Sequence, residues 1–163
     1  MRWSPELYAN IQAGYIKTLD INLFLSLRSA ISQALYRYLL NPPDAATPVG
    51  VATALERLHR GDLLSPASSA LLLDLMSHTE TGASRLRAGL APGWTLRHKT
   101  GTGQVMGAVA TGFNDVGLLT SPEGRTYAVA VLIGRTNRPI EQRQALMAAV
   151  SRAVEEADAA GRP

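Results

Sequence analysis

Apolar positions follow a helical period up to about Met76 and an alternating period from Trp94 onward. Ser4-Pro5-Glu6 reads as a helix start, with proline in the first turn, where its missing N–H costs nothing. From Asp20, the residues Phe24, Leu27, Ile31, Leu35 and Tyr38 fall on one helical face, and Arg28 and Arg37 lie outside it. Asn41-Pro42-Pro43-Asp44 breaks the pattern, because proline constrains itself and the residue before it. The main boundary is placed there. It separates a helical segment, residues 1–40, from a second part, residues 41–163.

The second part opens with paired helix starts. Thr47-Pro48 supplies a cap and a first-turn proline; Val51, Leu55 and Leu58 mark the buried side, and Gly61 ends the helix after Arg57, His59 and Arg60. Ser65-Pro66 repeats the signal for a helix through Met76, with Leu71, Leu72 and Leu75 expected inward. Residues 78–94 read as loop with a helical turn near Leu86. "TLRHKTG" reads as a short strand ending in a glycine-rich turn, and "VGLLT" and "TYAVAVLIG" as two strands joined by "SPEGR". In the last strand Tyr127, Val129, Val131 and Ile133 alternate with Ala128, Ala130 and Leu132, so both faces are apolar and a central strand covered on both sides is predicted. Pro139 then opens a final helix with Leu146, Met147, Val150 and Val154 inward, while Glu155, Glu156 and Asp158 read as a solvated end. The predicted fold class is α+β: a small antiparallel sheet of about three strands with flanking helices.

Composition narrows the chemistry. The chain has 163 residues and 46% apolar content, enough for a domain with a core. It has no cysteine, which excludes disulfides and thiolate metal sites. The formal charge of +3 comes from scattered arginines rather than a cluster, which argues against nucleic acid as a partner. No run of 18 apolar residues is present, so no membrane span is expected. The opening "MRWSPELYANIQ" has no charged region followed by an apolar one, so a cytoplasmic location is expected. His59, His78 and His98 are too widely spaced for a helical ligand pair, and Gly101-Thr102-Gly103 lacks the third glycine of a dinucleotide loop. No metal and no cofactor are predicted.

The stretch "HKTGTGQ", residues 98–104, carries the candidate chemistry. Lys99 offers a fixed positive charge and Thr100 a hydroxyl. Gly101 permits close approach of a ligand, and the Thr102 N–H is available to a developing oxyanion. Its neighbours "TPVGVATALERLHRGDLLSPASSALLLDLM", "TGASRLRAGLAPGW", "TGFNDVGLL" and "GRTYAVAVLI" occur in the same order as in the second half of class A β-lactamases, which residues 44–154 resemble. The resemblance implies part of a β-lactamase and penicillin-binding serine hydrolase fold. It makes Lys99-Thr100-Gly101 the third of the motif groups S-x-x-K, S-D-N and K-T-G. By the same resemblance Lys99, Thr100, Gly101 and Thr102 bind the β-lactam, and the Thr102 N–H is one of two oxyanion-hole donors. Arg85 stands where some members place an arginine that assists carboxylate binding. The implied activity is β-lactam amide hydrolysis.

The other motif groups can be sought by counting. The only lysines are Lys17 and Lys99, and the residues three before them are Gly14 and Leu96, so these 163 residues hold no S-x-x-K. They hold no S-D-N, and no glutamate occurs in "ALYRYLLNPPD", where the resemblance would place the activating acid. The 163-residue chain is therefore expected to be catalytically incomplete. A separate resemblance covers residues 1–40. There Gly14-Tyr15-Ile16-Lys17 and Leu35-Tyr36-Arg37 resemble a segment of plasmid replication initiator proteins, which implies a join near Asn41. With one wall of a cleft and no facing domain in these residues, self-association through an exposed sheet edge is also expected.

Overall fold

Thr47 caps the first helix of the described chain: its side-chain oxygen accepts the Gly50 N–H at 3.0 Å, and Pro48 follows as the first helical residue. The structure is a computed structural model and describes residues 47–161. The helix expected over residues 20–40, the initiator-like segment and the Asn41 boundary lie outside the described residues. Helix α1 spans Pro48–Arg60 and ends on Gly61, whose left-handed backbone lets its N–H reach back to Arg57 and Leu58. Val51, Leu55 and Leu58 are buried, as their spacing predicts.

Helix α2 spans Pro66–Ser77, capped by Ser65. Its buried stripe is Ser69, Leu72 and Met76, whereas Leu71 and Leu75, predicted inward, are 46% and 45% exposed. Adjacent helical positions stand about 100° apart, so a run of leucines cannot face one side together, and the phase follows Leu72. A 3-10 turn, Leu86–Gly89, sits where the helical turn near Leu86 is predicted.

The sheet confirms the α+β class. Strands β1 (Thr95–Thr102), β4 (Phe113–Thr120) and β5 (Thr126–Ile133) form an antiparallel sheet in the order β1-β4-β5. Strand β5, predicted central from its two apolar faces, is an edge among the described residues, and β4 is the central strand. Apolarity on both faces reports cover above and below, which β5 has; it says nothing about a neighbour in the plane. Tyr127 and Val129 lie on the face whose core cluster includes Leu86, Leu96, Phe113 and Met147. Helix α1 packs across β4 and β5 on the opposite face, where Ala128 and Ala130 lie. A short hairpin, β2 (Val105–Met106) with β3 (Val109–Ala110), interrupts what reads in sequence as a simple glycine-rich turn.

Helix α3 spans Ile140–Ala160. Met147, Ala148, Ser151 and Asp158 are buried, with Val150 and Val154 packed against the core, but Leu146 is 53% exposed. Asp158 is not a solvated end. It continues the stripe of 147, 151 and 154, accepts the Tyr127 hydroxyl at 2.6 Å and pairs with Arg125, whose Nη2 lies 2.7 Å from Oδ2. This carboxylate raises the pKa of both Arg125 and Tyr127. Glu155 accepts the Ala91 N–H at 2.6 Å, tying α3 to the loop before β1.

Candidate functional site

Strand β1 carries the site because it is an edge strand with one well-fixed neighbour. The register pairs Thr100 with Asp115 and Thr102 with Phe113. Beyond the strand end, Gly103 donates its N–H to the Gly112 carbonyl at 2.8 Å. Antiparallel bonding alternates, so the Thr102 N–H turns away from β4 toward the outer edge. That edge has no strand beside it among the described residues. The loop of residues 79–82 lies along it instead. Thr79 donates its hydroxyl to the His98 carbonyl at 2.6 Å, and the Thr81 and Thr100 hydroxyls meet at 2.6 Å. The approach is close because Gly82 has φ +85 and no side chain; a Cβ there would stand 2.5 Å from the Thr100 methyl.

Arg85 lies beneath this corner and is only 9% exposed. Its Nη1 donates to the carbonyls of Asn114, at 2.6 Å, and Gly101, at 3.1 Å, and its Nη2 donates to the Thr102 hydroxyl. The guanidinium stacks on Phe113 with its carbon 3.8 Å from the ring centroid. Burial lowers its pKa, Asp115 opposes that shift and Arg143 adds to it. The arginine thus acts as a brace: it fixes the turn after Gly101 and places positive charge behind Thr102.

Strand alternation puts Lys99 on the face opposite Thr100 and Thr102, paired with Val116. Its ammonium folds over the strand edge and donates to the Thr100 carbonyl at 2.6 Å. Surrounding protein lowers its pKa, helped by the charge of Arg85 and opposed by Asp115. Gly101 would tolerate a Cβ, since the nearest protein atoms would be 3.7 Å away in Asn114. The described fold therefore does not demand glycine at this position.

All five predicted site residues therefore gather at one end of β1. Arg85 bonds directly to the Gly101 carbonyl and the Thr102 hydroxyl, the Thr100 hydroxyl bonds to Thr81, and Lys99 reaches the Thr100 carbonyl. Sequence reasoning missed Thr79 and Thr81, which only the loop's course brings to the edge. It also missed a buried pair on the same strand face as Thr100 and Thr102. His98 and Asp115 are both 0% exposed, with Nδ1 and Oδ1 2.8 Å apart. A signal existed: both occupy positions that alternate with core residues, where a polar side chain needs a partner. The serines near helix α2 are accounted for by local bonds, Ser65 with Ser68 and Ser69 with the Leu64 carbonyl. Among the described residues no group of three His, Asp or Glu side chains converges to hold a metal.

A model of the beta-lactamase enzyme family matches residues 20–157, starting ahead of the Asn41 boundary. A beta-lactamase of Mycobacterium tuberculosis is 40% identical over 107 residues, covering 64% of this chain and 33% of the relative. Beta-lactamase FAR-1 of Nocardia farcinica is 36% identical over 111 residues, covering 68% and 34%. The chain spans about a third of the length of these curated relatives. The solved structure of a beta-lactamase from Chitinophaga pinensis superposes with a TM-score of 0.65 at 31% identity, covering 69% of this chain and 42% of that one.

Proposed function

The chain belongs to the beta-lactamase enzyme family, and we propose that Thr100, Gly101 and Thr102, braced by Arg85 and flanked by Lys99, form the wall of a serine β-lactamase site that takes the substrate carboxylate. One observation carries this reading: a buried guanidinium bonded to two carbonyls and to the Thr102 hydroxyl fixes the strand end and leaves hydroxyls and an N–H along its edge. The Thr100 and Thr102 hydroxyls and the Lys99 ammonium supply donors and charge for an anion. Arg85 contributes its field and its positioning rather than a direct two-pronged contact, since its Nη atoms are already engaged. The outward Thr102 N–H supplies one oxyanion donor. Acyl transfer also needs an activated nucleophile, and no S-x-x-K lies within these 163 residues. Their part in the chemistry is to bind and orient.

A titration of the isotope-labelled 163-residue chain with benzylpenicillin tests this. Amide signals of Thr81, Thr100, Gly101 and Thr102 are expected to shift together, with a Kd on the order of 1 mM, equivalent to about 4 kcal/mol. The penicillin methyl ester, which lacks the carboxylate, is expected to leave them in place. Equal shifts with acid and ester, or shifts confined to other residues, would remove the carboxylate assignment.

A further inference from the structure

Beside the proposed wall, on the face of β1 and β4 that also carries Thr100 and Thr102, lies a pair that the binding reading does not use. His98 Nδ1 stands 2.8 Å from Asp115 Oδ1, and both side chains are fully buried. The other carboxylate oxygen, Oδ2, accepts the Leu86 N–H at 3.2 Å. Leu86 directly follows Arg85, so this carboxylate holds the backbone from which the bracing guanidinium projects. On the far side of the imidazole, Nε2 lies 3.4 Å from Arg87 Nη2. A guanidinium has only donors, so Nε2 is the acceptor in this contact. That leaves the imidazole proton on Nδ1, where it points at Asp115. The chain of bonds then runs in one direction: Arg87 to His98, His98 to Asp115 Oδ1, and Leu86 N–H to Asp115 Oδ2.

We propose that His98 and Asp115 are positioning residues for the carboxylate-binding wall. The Nδ1–H of His98 orients Asp115, Asp115 anchors the Leu86 amide, and the anchored segment sets Arg85 against Gly101, Asn114 and Thr102. The same two side chains join the site's two sequence-distant parts, the loop of residues 79–87 and strand β1. A purely apolar pair in these positions would fill the same volume but would leave the Leu86 N–H without an acceptor. The significance for binding rests on the reading of the wall given above. The test below contains no ligand, so its failure would leave that reading standing, and a failed penicillin titration would leave this one standing.

The experiment uses the full 163-residue chain labelled with nitrogen-15. Imidazole nitrogen shifts of the unmodified protein are expected to show His98 protonated on Nδ1 and unprotonated on Nε2; an unprotonated Nδ1 would overturn the proposal. His98→Leu, which removes the donor, is expected to speed hydrogen exchange of the Leu86 amide and of the Arg85 guanidinium by about tenfold or more. Exchange of the Leu119 amide, in the core of β4, is expected to change by less than threefold. His98→Asn, which keeps an N–H near the Nδ1 position, is expected to recover most of the protection. Equal loss at Leu86 and Leu119 would show a general role in stability and overturn the positioning role, as would unchanged exchange at Leu86. Should His98→Leu fail to fold, the imidazole shifts and the Asn variant decide alone: the wrong tautomer, or Leu86 exchange in His98→Asn as fast as that of an exposed amide, overturns the proposal.

Discussion

Lys99, the cation of the proposed wall, is held at a cost to stability. Its pKa is lowered from 10.5, first by burial and then by the nearby charge of Arg85. The unfolded chain then binds the proton more tightly than the folded one. Between the lowered value and 10.5, stability rises with pH; below that window the cost of holding the charge is fully present. Lys99→Met is therefore expected to melt at a higher temperature than the unmodified chain at pH 7, with the difference shrinking as pH approaches 10.5. Thermal melts at pH 7 and pH 10 measure both parts, and an unchanged or lower melting temperature at pH 7 would contradict the argument. The same substitution is expected to weaken the benzylpenicillin shifts. Arg85 differs: its bonds tie the strand end together, so the proposed positioning role and stability fall to one side chain. Both residues were legible as candidates from their place in the ordered motifs, but their division of labour was not. Nothing in the string "TGASRLRAGL" says that the guanidinium turns inward onto Phe113.

Elements meet at glycines more tightly than their sequence spacing shows. Gly89 ends the 3-10 turn against helix α3, where an added Cβ would stand 2.0 Å from the Ala148 carbonyl oxygen. The contact is backbone on backbone, so relief requires the helix to move. Gly89→Ala is expected to cost about 1–3 kcal/mol or more by overpacking. Gly134→Ala is the control: nothing lies within 4 Å of its Cβ position and its φ is not left-handed, so its stability is expected to stay within about 0.5 kcal/mol. Chemical denaturation of the two variants compares them, and equal stabilities would refute the packing argument. At this scale the sequence reading placed all three described helices at their proline starts and located the three long strands. It missed the β2–β3 hairpin, because "GQVMGAV" has too few residues to show a period. It also placed Leu71, Leu75 and Leu146 inside, because hydrophobicity alone does not give the phase of a helix.

At the scale of the 163 residues, the proposed wall is accompanied by no S-x-x-K motif. A serine β-lactamase needs the nucleophile, its lysine and an activating acid around one carbonyl. The described residues include the strand proposed to bind and the arginine that braces it, and the count of lysines rules out S-x-x-K in these 163 residues. The purified 163-residue chain is expected to turn over a chromogenic cephalosporin at the uncatalysed rate. An acyl adduct on the intact chain, seen by mass spectrometry after incubation with penicillin, would contradict this, and peptide mapping would identify the serine. Sheet order is also a property of this scale. The edge position of β5 among the described residues depends on pairing in the plane, which the alternation of Tyr127, Val129, Val131 and Ile133 does not encode.

The sequence by itself determined the fold class, the helix starts and the motif that names the site. Those features depend on local chemistry: a capping hydroxyl before proline, a period in apolar residues, and a lysine, threonine and glycine in succession. Tertiary structure decided which face each helix buries, which strand is central, and which residues far apart in the chain share a bond. Asp158 became a buried partner of Arg125 and Tyr127, and His98 met Asp115, because strand register and helix packing brought them together. An isolated acid or histidine carries no mark of its partner in the sequence. Burial leaves it requiring one, and the fold decides which residue is near enough to serve.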